Sequence, residues 1–239
     1  MLGEDTVEVW WARLGDVPDA RAELLTPEER ERFDRYVRVE DARRFAAGSA
    51  VVRLATSGYV GKSARDIALD RSCPDCGRPH GRVRLPAEYG LEVSVTHSGD
   101  WVGVAFARSA VGLDVERVRP DVDVAGLGRL ALAPAERAIV AALPDGDRAA
   151  AFTRYWARKE AVLKATGEGL RTAPARVTVT APGEPPRLLG HAERPELAAA
   201  LALVDVDPDA EHPAALAVIG AAPGVVRSRD GGALLARTA

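Results

Sequence analysis

From residue 6 the chain alternates apolar and polar positions in TVEVWWARL (6–14), and the period of two predicts a β-strand. Thr26-Pro27-Glu28-Glu29 reads as a helix start, with Thr at the N-cap, Pro at N1 and Glu at N3. The stretch that follows, EERERFDRYVRVEDARR, mixes both charge signs and predicts a solvated helix laced with i,i+4 pairs. RFAAGSAVVRLATSGYVG (44–61) is more apolar and predicts a helix ending in Gly. RSCPDCGRPHGRVRLP is crowded with turn formers and reads as a loop. LEVSVTHSGDWVGVAFA (91–107) has the form of a hairpin about Ser-Gly-Asp, and AVGLDVERV follows at once as a third strand.

The second half loosely repeats this order. A helix begins near Pro134 in APAERAIVAAL, and a longer one follows Asp147 in DRAAAFTRYWARKEAVLKATGEGL. Strand patterns then appear in RVTVT (176–180), AAALALVDV (198–206) and AALAVIGAA (214–222), and the tail from Pro223 reads as frayed. The pieces SAVVRLATSGY (49–59) and KEAVLKATGEG (159–169) share an Ala-Thr pair at an offset of 110 residues, 55 to 165. The expectation is an α+β protein of two similar halves, each a small sheet packed with a long helix. The halves are 1–112 and 113–239, joined near Val111–Pro120.

Composition narrows the class. The 239 residues are 47% hydrophobic and hold a substantial core, and no apolar run approaches the roughly 18 residues a membrane span needs. There is no basic segment followed by an apolar one at the N-terminus, and two cysteines are too few for a disulfide framework, so a cytoplasmic protein is expected. A net charge of −3 argues against general nucleic-acid binding.

Within the strand VGLDVERVRP (111–120), Asp114 and Glu116 stand two apart and share a face. Two like charges side by side repel, and burial adds to the cost. The long helix offers a third acid. At about 100° per residue from Phe152, Trp156 and Leu163 fall on the apolar stripe, while Glu160 and Lys164 lie together on its edge. Lys159 falls inside the stripe. Taken alone, Glu160 and Lys164 are an ordinary i,i+4 salt bridge with Lys159 snorkelling. Taken with Asp114 and Glu116, three carboxylates from two halves, at the expected seam between them, suit one hard divalent cation such as Mg²⁺, with Mn²⁺ as a substitute, and Lys164 is placed to meet phosphates.

VTHSGDWVGVAFARSAVGLDVERVRP, followed after a helix by YWARKEAVLKATGEGL, resembles the Sfp-type 4′-phosphopantetheinyl transferases. Their signature is a G-(I/L/V)-D-(I/V)-E strand paired with a W-x-x-K-E-x-x-x-K helix, and the likeness runs over roughly residues 24–170. It implies the pseudo-twofold fold of that family. It also implies transfer of 4′-phosphopantetheine from coenzyme A to a serine of an apo acyl or peptidyl carrier protein, with release of adenosine 3′,5′-bisphosphate. Such activation serves polyketide, nonribosomal peptide or fatty acid biosynthesis, here by an expected monomer with no membrane or nucleic-acid partner.

Under the resemblance, Asp114, Glu116 and Glu160 match the Mg²⁺ ligands, and Lys164 matches the lysine on the coenzyme A diphosphate. Glu160 is also the first candidate for general base. Thr96 and His97 match a pair that binds coenzyme A phosphate, and Arg32 a basic residue near the adenosine 3′-phosphate. Arg82 falls where the family's Gly-Lys-Pro loop carries its basic residue, although Val83 stands where the family has Pro. Arg44, in a basic helix segment, and Lys159, within the helix motif, join the coenzyme A set.

Two rivals use the same residues differently. One is a Mg²⁺-dependent phosphohydrolase of a nucleotide or coenzyme A; the other is a non-catalytic module that binds coenzyme A or a carrier protein. Cys73-x-x-Cys76 with His80 nearby has the start of a zinc site, but a structural site takes four ligands and no second pair follows, so it reads as a plain loop with two reduced thiols.

Overall fold

The computed structural model describes residues 2–16, 19–73 and 75–236. The chain divides into two compact units, Met1–Arg108 with Gly224–Ala239, and Ser109–Pro223.

In the first unit, strand β1 (Thr6–Arg13) pairs antiparallel with β3 (Trp101–Ala107), which pairs antiparallel with β2 (Glu92–Ser98). The hairpin expected at 91–107 is present, turning at Gly99 and Asp100. Among the described residues the tail is not frayed, and the last three residues lie outside them. Residues Val225–Asp230 form β9, parallel to β1, and α7 (Gly231–Ala236) follows. The expectation failed because VVRSRD is mostly exposed and carries no apolar stripe; its backbone register with β1 holds it. Arg229 also ion-pairs at 2.6 Å with Glu8, which β1 buries.

Two helices follow as expected, but the break between them falls at residues 35–38 and not near Arg44, and the second of them covers this sheet. Helix α1 (Pro27–Asp34) has the full capping box: Glu29 N donates to Thr26 Oγ1 at 3.3 Å, and Thr26 N to Glu29 Oε2 at 3.0 Å. The chain then breaks, and α2 (Val39–Val60) runs to Gly61, whose φ of +71° makes the left-handed cap. The Ala- and Val-rich face of α2 packs on Val102, Val104, Phe106 and Val93.

The second unit has a three-stranded antiparallel sheet ordered β4 (Val111–Val115), β8 (Ala214–Ile219), β7 (Leu201–Asp205). Strand β4 therefore does not extend the hairpin before it. A short pair, β5 (Val177–Val179) and β6 (Leu188–His191), lies apart from it. Helices α3 (Val124–Ala131), α4 (Pro134–Ala142), α5 (Asp145–Thr166) and the one-turn α6 (Leu197–Ala200) complete the unit. The long helix α5 packs on β4 and β8 and ends at Gly167 (φ +73°). Both units thus repeat one plan, a small sheet under a 22-residue helix.

Candidate active site

Contact between β4 and α5 builds the acidic cluster. A Cβ on Gly112 would lie 2.0 Å from Ala161 O and 2.4 Å from Ala165 N, so the strand backbone lies directly on the helix backbone. Only glycine permits that approach. Since the period is two, Asp114 shares the face of Gly112 and is aimed at the same helix.

Asp114 is buried at 4% exposure, and Lys164 Nζ donates to its Oδ1 at 2.7 Å and to Leu113 O at 3.1 Å. Trp156, Glu160 and Lys164, four apart in turn, form one ridge of α5. The indole Nε1 of Trp156 donates to Glu116 Oε1 at 3.2 Å, anchoring the third acid. Glu160 is buried, and its Oε1 has no hydrogen-bond partner among the described residues. Burial pushes its carboxyl up to about 7, with Asp114 and Glu116 pushing the same way and Lys164 opposing them. Beside Glu116 a cleft of about 250 Å³ opens between Arg117, Arg119, Val122, Leu127, Phe152 and Trp156.

Here three carboxylates face one ammonium, and one of them holds a buried, unbonded oxygen. The donor set is all oxygen and carries surplus negative charge, which suits a hard divalent cation. The three acids are more spread than a closed chelate: among the described residues, only Cys73, Cys76 and His80 bring three ligand atoms within 4.8 Å of one another.

Lys159 is a correction. Its side chain is fully buried, donating to Ala131 O, Pro174 O and Val177 O at 2.6–3.0 Å and pairing with Glu136 Oε2 at 2.5 Å. With every proton engaged it has none to offer coenzyme A. It ties the ends of α3 and α4 to β5.

The remaining predicted residues lie in the first unit. Arg32 donates to Pro79 O at 2.9 Å and sits 4.8 Å over the Phe45 ring. Arg44 donates to Gly99 O at 2.8 Å, at the β2–β3 turn, and to Asp41 at 2.6 Å. Arg82 pairs with Glu92 at 2.9 Å. Thr96 and His97 are neighbours on β2 and point to opposite faces, Thr96 buried and His97 exposed.

Sequence reading missed Arg71. Its guanidinium lies 5.1 Å from the Phe45 ring that Arg32 also covers, and it donates to Ser49 Oγ at 2.9 Å. Burial lowers its affinity for its proton, and Glu29 partly restores it. No local pattern marks it, because its partners come from α1 and α2.

A family model described as the 4′-phosphopantetheinyl transferase superfamily matches residues 110–217, and one described as 4′-phosphopantetheinyl transferase, N-terminal, matches residues 11–109. Among curated proteins, the chain is 32% identical to 4′-phosphopantetheinyl transferase HetI of Nostoc sp. over 225 residues, 92% of this chain and 90% of that one. It is 26% identical to 4′-phosphopantetheinyl transferase Sfp of Bacillus subtilis over 148 residues, 62% of each chain. To the 4′-phosphopantetheinyl transferase psf-1 of Bacillus pumilus it is 29% identical over 143 residues, 60% of this chain and 58% of that one. No helix among the described residues is long and apolar enough to cross a membrane.

Proposed function

Because the chain belongs to the 4′-phosphopantetheinyl transferase superfamily, we propose that it transfers 4′-phosphopantetheine from coenzyme A to a serine of an apo carrier protein. The serine oxygen forms a new bond to the phosphorus that carries the pantetheine arm. The diphosphate P–O bond breaks, and its electron pair leaves with adenosine 3′,5′-bisphosphate.

Clustering of Asp114, Glu116, Glu160 and Lys164 around the β4–α5 contact carries this reading. Asp114, Glu116 and Glu160 are the residues that would hold Mg²⁺, which supplies Lewis-acid stabilisation of charge on the diphosphate oxygens. Lys164 brings a fixed positive charge that, once diphosphate is present, has a second anion to serve besides Asp114. Glu160 takes the serine proton, directly or through water. Phe152 and Trp156 wall the cleft beside Glu116. In the first unit, Arg32, Arg44, Arg82, Thr96 and His97 are proposed for coenzyme A, with Arg71 added to Arg32 as a second guanidinium for phosphate.

The test is intact-mass spectrometry of an apo carrier protein incubated with the chain, coenzyme A and Mg²⁺. Gain of one phosphopantetheine arm on the serine is expected, with adenosine 3′,5′-bisphosphate in equal amount. Coenzyme A cleaved with the carrier unmodified would instead make the chain a phosphohydrolase.

A further inference from the structure

In the first unit, the arms of the loop between Asp70 and Arg84 are held together by more hydrogen bonds than a plain connection requires. Asp70 and Arg84 exchange backbone hydrogen bonds at 3.0 and 2.8 Å, and Gly81 N donates to Arg71 O at 2.7 Å. A Cβ on Gly81 would meet Ser72 O at 2.6 Å, so the two arms are pressed together. At the tip, Gly77 N donates to Cys73 O at 2.8 Å, with φ +71° at Gly77, and Cys73 N donates to Arg78 O at 2.9 Å. The backbone N–H groups of Asp75 and Cys76 both point at the Cys73 sulfur and hold its thiol below the ordinary range. Cys76 Sγ lies 3.0 Å from His80 Nε2.

We propose that Cys73, Cys76 and His80 bind one Zn²⁺, with the fourth coordination position open to solvent. Their ligand atoms all lie within 4.8 Å of one another. Donors at about 2.0–2.3 Å from a tetrahedral ion stand roughly 3.3–3.8 Å apart, so the trio needs only a small closure. Two sulfurs and one imidazole select a borderline-soft ion over Mg²⁺. A turn that aims two N–H groups at one sulfur is built to stabilise a thiolate. The sequence shows no second pair of ligands, but a three-ligand site with an exposed fourth position does not need one, and Cys76 and His80 are exposed. Binding displaces the thiol protons to solvent, with no redox step.

The site has a structural reach. Pro79, next to His80, is the residue whose carbonyl accepts from Arg32. Zinc at the tip therefore fixes that acceptor. This link to coenzyme A rests on the reading of Arg32 above, whereas the metal site itself does not.

The test measures metal and not transfer. The full chain is purified under reducing conditions, given one equivalent of Zn²⁺, desalted and assayed for zinc; in parallel Co²⁺ is added in place of Zn²⁺. Expected are one zinc per chain and a thiolate-to-cobalt charge-transfer band, both lost in the Cys73→Ser/Cys76→Ser variant and weakened in His80→Ala. The chain has two cysteines, so the band in the wild-type chain identifies the site even if a variant does not fold. No zinc retained by the reduced wild-type chain, or zinc retained without a charge-transfer band, overturns the proposal. Loss of transfer with zinc content intact would count against the function proposed above and leave this site standing.

Discussion

The two long helices are the same device put to different use. Helix α2 and helix α5 each have 22 residues, and their C-cap glycines stand at an offset of 106 residues, 61 to 167. At that offset Arg53 corresponds to Lys159. Each is fully buried, and each pairs with the N3 glutamate of the helix immediately before it: Arg53 with Glu29 at 2.8 Å, Lys159 with Glu136 at 2.5 Å. Both glutamates also accept from their own N-cap backbone, Thr26 N at 3.0 Å and Ala133 N at 2.7 Å. The second box is half a box, since Ala133 has no side-chain acceptor. Shared between the units, then, is a buried acid–base clamp of structural purpose. What differs is the outer edge of the helix. The positions of Glu160 and Lys164 in α5 are held in α2 by Leu54 and Gly58. A charged residue common to both halves belongs to the fold, and one present in a single half is the candidate for chemistry.

The strongest way to break this comparison is to remove a clamp. Glu136→Ala leaves Lys159 buried without its carboxylate and strips acceptors from Ala133 N and Val179 N. Breaking a buried pair from one side costs about 3–5 kcal/mol, so urea unfolding should show a loss of that order. Glu29→Ala should cost less, because the guanidinium left buried on Arg53 is more weakly hydrated than an ammonium, and Arg71 keeps Ser49 as an acceptor. Equal loss in both would mean the clamps are equivalent in strength as well as in position. A negligible loss at Glu136 would return Lys159 to the functional set.

Asp114→Ala examines the half that has no counterpart. It removes one charge from a buried site, so the rate of carrier-protein modification should fall roughly a hundred- to thousandfold. Stability of the metal-free chain should fall less than in Glu136→Ala, because relief of the repulsion between Asp114 and Glu160 offsets loss of the Lys164–Asp114 pair. Full transfer at ordinary Mg²⁺ would remove Asp114 from the site.

How much of this was legible beforehand follows from where the information lies. The capping signal Thr26-Pro27-x-Glu29, the alternation of β1 and the hairpin at 91–107 are local, and they fold as read. Asp114, Glu116, Glu160 and Lys164 were legible because period two on a strand and period 3.6 on a helix each place a pair on one side. That the two sides meet is a tertiary fact, and Gly112 makes it possible. Lys159 was misread since a lysine in an apolar stripe looks the same whether it snorkels or has a buried carboxylate waiting; Glu136 is 23 residues away, 136 to 159. The offset of 110 suggested by Ala55-Thr56 and Ala165-Thr166 is also out by about one helical turn, because those pairs match in composition and not in position relative to the caps. Strand β9 was invisible for a different reason: it is specified by backbone pairing with residues more than 200 positions earlier, not by its own pattern.

The gentlest test sharpens the comparison at a single oxygen. Glu160 has its carboxyl raised from 4.5 to about 7, chiefly by burial. A folded value above the unfolded one means the folded chain holds the proton more tightly. The stabilising contribution is therefore present below about 4.5 and is lost as pH rises through about 7. Glu160→Gln cannot ionise. In metal-free protein the variant should melt higher than wild type at pH 8, by a few degrees for a change of about 1 kcal/mol in a chain this size, and the gap should close by pH 5. Mg²⁺ should raise the wild-type melting temperature at pH 8 and flatten its pH dependence, since a cation stabilises the ionised form; the Gln variant should respond far less. Leu54→Gln at the matching place on α2 should show neither the pH dependence nor the Mg²⁺ response. Melting curves at pH 5 and pH 8, with and without Mg²⁺, decide it. A wild-type chain whose melting is insensitive to both would mean that Glu160 is ionised and satisfied without a cation, and the contrast between the two helix edges would lose its chemical content.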